Sequence, residues 1–271
     1  MNILRRTWLL GALTAAALLA GCATASATPP TASPQARAAL APTGKLRVGV
    51  YAGSPTSMVV GNNGYHAGVA YELGREFARW LDVPFEPVEY RRIAEVIDAM
   101  KTGQVDFTFT NATEARAREL SFTQPLVGLE LGYLVPASST LASAADIDRE
   151  GVRVGVTEGS TSQKTLTQAY RHAKVVPVPS LKAAAELLAG NGLDAYATNK
   201  GILYELSDSL PGSRVLGGRW GLESLAIAVP RGRDAGLPYL DLFALTVRRD
   251  GTLHSVIVRA GLRGTSAASN P

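Results

Sequence analysis

The chain has 271 residues, 46% of them hydrophobic, with 27 Lys+Arg against 23 Asp+Glu. That composition is too apolar for disorder, and the length suits one large domain or two small ones. A single Cys excludes a disulfide framework within the chain, and the separated His66, His172 and His254 give no Cys/His cluster for a metal; no cofactor motif stands out either. The formal net charge is +4, but Arg5 and Arg6 lie in a first segment without acids, leaving 25 basic and 23 acidic side chains after residue 21. Nucleic-acid binding would need a clustered basic face and loses its support.

Arg5-Arg6 precede an apolar run over residues 8–20, too short for an ordinary membrane-spanning helix and ending in small residues, as an export signal does. The run closes with Leu19-Ala20-Gly21-Cys22, which resembles the lipobox of bacterial lipoproteins. That resemblance implies cleavage after residue 21, acylation of Cys22, and a location in the periplasm or at the cell surface. Several acyl chains would hold the protein on a membrane, since each buried methylene adds about 0.8 kcal/mol. Residues 22–43 are rich in Ala, Thr, Ser and Pro without apolar periodicity, the composition of a flexible tether. The folded part is expected to begin near Gly44.

From Lys45 onward short β-type runs alternate with helical patterns, the mark of an α/β fold with mainly parallel strands. Residues 46–51 read as a strand, and residues 68–81 as a helix with Val69, Leu73, Phe77 and Leu81 on one face. A strand over 85–90, a helix over 93–101 and a strand over 105–110 follow, and Thr113 opens a short helix. The alternation restarts at Val152, with helices near 160–170, 181–188 and 200–206.

That restart repeats the sequence. Leu46-Arg-Val-Gly-Val-Tyr-Ala-Gly-Ser54 matches Val152-Arg-Val-Gly-Val-Thr-Glu-Gly-Ser160 at six of nine positions, and Asp106-Phe-Thr-Phe-Thr-Asn111 is followed in the same order by Asp194-Ala-Tyr-Ala-Thr-Asn199. Two ordered pairs point to two similar lobes. Ligands of open α/β sheets sit beyond the carboxyl ends of parallel strands, where helix N-termini present free N–H groups. Gly53-Ser54, Thr110-Asn111, Ser160-Thr161 and Thr198-Asn199 are all expected at such ends. Ser160 also suits a plain helix cap. These small hydroxyl and amide side chains fit a polar ligand and offer no obvious catalyst.

The order of Val48-Gly-Val, Gly68-Val-Ala-Tyr-Glu-Leu, Met100-Lys-Thr-Gly-Gln-Val-Asp106, Thr113-Glu-Ala-Arg116, Phe122-Thr-Gln-Pro125, Val154-Gly-Val-Thr-Glu-Gly-Ser160 and Leu193-Asp194-Ala195 resembles family 3 of the bacterial extracellular solute-binding proteins, the polar amino-acid receptors of ABC importers. The resemblance covers nearly all of residues 44–264. It implies a type II periplasmic-binding-protein-like α/β fold of two lobes joined by two crossover strands, placed near 131–136 and 225–230. Lobe one would hold residues 44–133 and 226–271, and lobe two residues 134–225. The implied function is capture of a small polar or anionic solute by hinge closure. The implied partners are ABC permease subunits, the implied state is a monomer, and no enzymatic activity is implied.

By the same resemblance Arg116 grips a ligand carboxylate through its planar guanidinium, with Arg118 as the alternative. Thr161 completes the carboxylate site, and Thr110 and Asn111 contact the ligand through backbone groups. Two departures stand out. The family position that pairs an Asp with an α-ammonium holds Asn199, and the aromatic cover after the first strand is replaced by Ser54, with Tyr51 close by. The expected ligand is therefore a small polar carboxylate or other anion, with or without an amine. Glu158, Glu130 and Glu223 are candidates for the missing charge. The competing readings are a dehydratase-like enzyme on the same fold, with Glu158 or Glu223 as acid or base, and a sensor without a transporter. Trp220 is a candidate for the cleft mouth, and Trp80 belongs to the core.

Overall fold

The computed structural model describes residues 30–61 and 64–266. The export-signal and Cys22 readings lie outside the described residues. Helix α1 (Pro34–Leu40) opens the chain. Ser33 caps it by accepting the Ala36 N–H, and Pro34 occupies the first turn, where its missing N–H costs nothing. This corrects the expected tether: Ala32, Leu40 and Ala41 are buried in the main core, and α1 packs against the turn at Asp234–Gly236. The segment reads as a linker because its apolar content is mostly alanine. Alanine is also the strongest helix former, and one Leu is enough to anchor seven residues.

Strand β1 (Leu46–Tyr51) is followed by the short pair β2 (Val59–Val60) and β3 (His66–Ala67), helix α2 (Val69–Leu81), β4 (Phe85–Tyr90), α3 (Ile93–Lys101), β5 (Thr108–Asn111), α4 (Glu114–Ala117) and β6 (Leu120–Phe122). The long β7 (Val127–Val135) leads into β8 (Arg153–Thr157), α5 (Thr161–Ala169), β9 (Lys174–Val178), α6 (Leu181–Ala189), β10 (Ala195–Asn199), α7 (Lys200–Ser209) and β11 (Arg214–Val215). The long β12 (Gly221–Pro230) returns to α8 (Leu237–Arg249), α9 (Thr252–Arg259) and β13 (Thr265–Ser266). The helix and strand expectations hold to within a few residues. The strand expected over 105–110 is shorter, because residues 106–107 bridge to β1 before regular pairing begins.

The strands form two mirrored runs. In the first, β4 pairs with β1 in parallel, the lead-in to β5 bridges β1 at Val48 and Phe107, and β5 pairs antiparallel with β12. In the second, β9 pairs with β8 and β8 with β10, both parallel, and β10 pairs antiparallel with β7. The two runs meet where Val127–Leu131 of β7 lies against Gly221–Leu225 of β12. The crossovers are thus longer than expected and begin earlier. Each spends one end on its partner crossover and the other on the run it enters.

The sequence repeat has an atomic counterpart. Arg47 and Asp106 exchange a bidentate pair, Nε to Oδ2 and Nη2 to Oδ1 at 2.8 Å each, and the Arg47 N–H also donates to Oδ2. Arg153 and Asp194 repeat every one of these bonds, at 2.8–2.9 Å. Each pair ties the start of the first strand of its run to the segment entering the third. The central Gly of each Val-Gly-Val is explained by crowding. A Cβ at Gly49 would come within 2.7 Å of Val96, and one at Gly155 within 2.4 Å of Leu193.

The largest core buries α2 between β1, α8 and α9, with Phe77 at 4.7 Å from Phe243 and Trp80 at 5.1 Å from the same ring. A second cluster joins Tyr51 and Val96 of the first run to Val178, Leu181 and Tyr196 of the second. Apolar contact therefore continues across the line between the runs. No helix among the described residues is long and apolar enough to cross a membrane.

Candidate functional site

The carboxyl ends of β1, β5, β8 and β10 converge on one cavity of about 40 Å³. Tyr51, Thr110, Asn111, Arg116, Ser160, Thr161 and Asn199 all line it, so seven of the eight ligand-binding candidates come together. Ser54 does not. It is fully buried in the turn after β1, where its hydroxyl shares a 2.8 Å hydrogen bond with Thr56, and Thr56 lines the cavity instead. Thr157 was not foreseen. It occupies the place in the second copy that Tyr51 holds in the first, so the repeat itself carried the signal.

Arg116 lies on the one-turn helix α4, capped by the Thr113 hydroxyl. Its Nη1 donates to Thr110 Oγ1 at 2.7 Å and to the Asn111 carbonyl at 3.2 Å. Both bonds hold one edge of the guanidinium; Nε and Nη2 make no protein hydrogen bond among the described residues. Arg116 as a residue is half-buried, yet its guanidinium sits deep enough that burial pulls its pKa down, against the opposing pull of Glu223 and Tyr51. It remains a cation, since guanidinium does not deprotonate in proteins. Arg118 is exposed and does not line the cavity, so of the two arginines only Arg116 does.

On the opposite wall Ser160 caps α5 by accepting the Gln163 N–H at 3.1 Å and still lines the cavity. A cap and a cavity wall are compatible roles: the first turn of α5 presents its positive end to the same space. Asn199 caps α7 in the same way, its Oδ1 accepting the Ile202 N–H at 3.1 Å. Asn111 Oδ1 accepts the Ser224 N–H and so ties the end of β5 to β12. Thr157 and Tyr196 share a 2.5 Å hydroxyl bond.

Among the three acidic candidates the structure separates the roles. Glu223, on β12, is 8% exposed and lines the cavity. It accepts from Thr161 Oγ1 and from Asn199 Nδ2, each at 3.3 Å. Burial pushes its carboxyl above the usual carboxylate range, only partly offset by Arg116, Thr161 and Asn199. Glu130 lies elsewhere and pairs with Lys200 at 2.7 Å and Arg219 at 3.4 Å; these cations hold its pKa low. Glu158 is half exposed and pairs with Arg92 at 3.1 Å, and it does not line the cavity.

The rim is basic. Arg91 and Arg92 line it, and Arg92 Nη1 also donates to the Pro179 carbonyl at 3.4 Å, so the start of α3 touches two segments of the opposite wall. Trp220 is placed away from the cavity, donating Nε1–H to the Gly132 carbonyl and packing near Tyr133. Trp80 is in the core, and His66, His172 and His254 are exposed and away from the cavity. No cluster of potential metal ligands occurs among the described residues.

The fold resembles those of several solved proteins. A mutant of ArgBP from T. maritima superposes with a TM-score of 0.75 at 22% identity, covering 83% of this chain and 99% of that one. A solute receptor for L-cysteine of Neisseria gonorrhoeae gives 0.74 at 22% identity, covering 83% and 92%. An amino acid ABC transporter substrate-binding protein from Streptococcus pneumoniae, bound to L-arginine, gives 0.73 at 19%, covering 82% and 96%. Among curated proteins, the membrane-bound lytic murein transglycosylase F of Shewanella sp. (strain W3-18-1) is 29% identical over 172 residues, 61% of this chain. The chain spans about a third of the length of the curated relatives it matches. The profile of one family matches residues 46–259. With the mirrored strand runs and the cavity at their ends, that match places the chain among the bacterial extracellular solute-binding proteins, family 3.

Proposed function

We propose that this chain is the solute-capturing receptor of an ABC importer and that it binds a small polar solute carrying a carboxylate. One lobe is residues 31–133 with 226–266, the N-terminal helix included, and the other is residues 134–225; β7 and β12 are the hinge on which they close. The protein works as a monomer in the periplasm or at the cell surface, held to a membrane by acyl chains on Cys22. It binds and releases its solute without transforming it.

The observation that carries this reading is the half-satisfied guanidinium of Arg116. Thr110 and Asn111 fix one edge, and the other edge is left for a planar anion. The hydroxyls of Ser160 and Thr161 and the first turn of α5 stand on the facing wall. A bidentate pair with a carboxylate uses that arrangement fully, and lysine could not replace its fork.

Calorimetric titration of the purified full chain with small carboxylates and amino acids tests the reading. Binding by at least one of them, weakened about tenfold or more in Arg116→Lys, is the expected result. A solute recovered chemically unchanged after incubation supports a receptor, whereas its consumption would shift the assignment to a dehydratase-like enzyme. Binding that Arg116→Lys leaves intact would remove the carboxylate assignment.

A further inference from the structure

Resting on the reading that Arg116 holds a carboxylate, we infer that Glu223 of the crossover strand β12 is the specificity-determining group for a ligand amine, so that the site selects zwitterions over simple carboxylates. Asn199 is a positioning residue for it and not itself the amine's partner.

Asn199 is the weaker partner by its own bonds. Its one acceptor atom, Oδ1, is neutral and already takes the Ile202 N–H at the start of α7, and its amide Nδ2 donates to Glu223. An ammonium group needs acceptors, and this side chain offers a donor to the cavity. Glu223 is in the opposite condition. A carboxylate can accept about four hydrogen bonds, and this buried one receives two, both at 3.3 Å, long for charge-assisted contacts. Such a group gains most from a third donor that carries a positive charge.

The second observation is the relation between Glu223 and Arg116. Each perturbs the other electrostatically, and both line the same cavity, yet no ion pair joins them among the described residues. Two desolvated opposite charges facing one another without contact match a ligand that places a carboxylate at one end and an ammonium at the other. The groups facing Glu223 are Arg116 from α4, Tyr51 from β1, Thr161 from α5 and Asn199 from β10. None of them is a competing acid. The amine-binding charge has therefore moved from the end of β10 to the crossover, and an amide at 199 is what allows it there, since two carboxylates side by side would suppress one another's ionisation.

The test compares matched probes on the purified full chain near neutral pH: L-alanine with propionate, L-serine with 3-hydroxypropionate, and L-glutamine with 4-carbamoylbutanoate. Wild type is expected to prefer the amine-bearing member of any pair that binds by about tenfold or more. Glu223→Gln, which keeps size and hydrogen-bonding capacity, should bring the two members to within about twofold. Adding Asn199→Asp to that variant retains the cap and returns a carboxylate to the wall, so part of the preference should come back. Equal binding of both members by wild type overturns the inference while leaving the carboxylate receptor intact, and needs no variant. A preference that survives Glu223→Gln, or one not recovered in the double variant, also overturns it. Failure of every probe to bind wild type removes the small-carboxylate reading, and the inference falls with it.

Discussion

Asp106 and Asp194 make the same bonds in the two runs but in different surroundings, and their energies should differ accordingly. The Asp106 side chain is fully buried and is shared by Arg47 and Arg233, whereas Asp194 and Arg153 are each more than a third exposed. Removing one partner of a buried pair leaves an uncompensated charge, at a cost of about 3 kcal/mol or more, while exposed pairs contribute about 1 kcal/mol or less. Denaturant titration should therefore show Asp106→Asn destabilising the protein by about 3 kcal/mol and Asp194→Asn by about 1 kcal/mol at most. A similar loss at both sites would mean that burial does not set the difference. Arg153 holds the Asp194 carboxyl below its ordinary pKa, so that small contribution is present above about pH 4 and is lost as pH falls through the folded-state value.

Glu223 has the reverse sign. Burial raises its pKa in the folded chain, so its contribution is fully present below the unfolded value of about 4.3 and is lost as pH rises through the folded value. Ionising Glu223 in the ligand-free protein leaves a buried, poorly solvated carboxylate. Glu223→Gln is expected to raise ligand-free stability at neutral pH by about 1 kcal/mol and to change it little at acid pH, as read from denaturant midpoints at the two pH values. A stabilised variant that discriminates poorly against simple carboxylates is the combination expected of a residue kept for binding.

At the scale of elements, Leu40 anchors α1 through a close fit. Leu40 is 1% exposed, and a Cβ at Gly236 would lie 2.4 Å from it. Gly236→Ala should destabilise the protein by about 1–3 kcal/mol through overpacking, and Leu40→Ala by about 2–4 kcal/mol through the cavity it leaves. Because both act on one contact, the double variant should cost less than the sum, which a double-mutant cycle measures. Additive effects would place the Gly236 constraint elsewhere.

The capping residues show how a sequence signal can have two meanings at once. Ser160 is legible as a cap from its position before a helical pattern, and the structure makes caps of both Ser160 and Asn199. They also line the cavity, since every helix that follows a parallel strand begins at the same edge of the sheet. From sequence Arg116 and Arg118 are both open as the cationic side chain of the site. The one-turn helix brings only Arg116 to Thr110 and the cavity.

At the scale of the molecule, the walls of the cavity touch through Arg92, which reaches Glu158 and the Pro179 carbonyl from the start of α3. These contacts add to whatever holds the two walls together around a solute. Their partial exposure limits them to about 1 kcal/mol. Arg92→Ala should therefore weaken the tightest-binding amino acid by about two- to fivefold, mainly through faster dissociation in stopped-flow measurements. An unchanged dissociation rate would show that the contact does not report on closure.

The sequence by itself determined the alternation of strands and helices, the doubled Val-Gly-Val and Thr-Asn motifs with the sheet edge where the cavity lies, and the ordered set of motifs that marks the family. Those features are local or periodic, so they are written in neighbouring residues. Tertiary structure alone decided that residues 34–40 join the core, that Ser54 turns inward, that Glu130 and Glu158 pair with cations and do not line the cavity, and that Glu223 and Arg116 both line it. Each of these depends on which of several equally plausible polar groups meets a partner from a distant part of the chain. Glu223 comes to Asn199 and Thr161 only because β12 crosses back between the two runs, a pairing that no local pattern encodes.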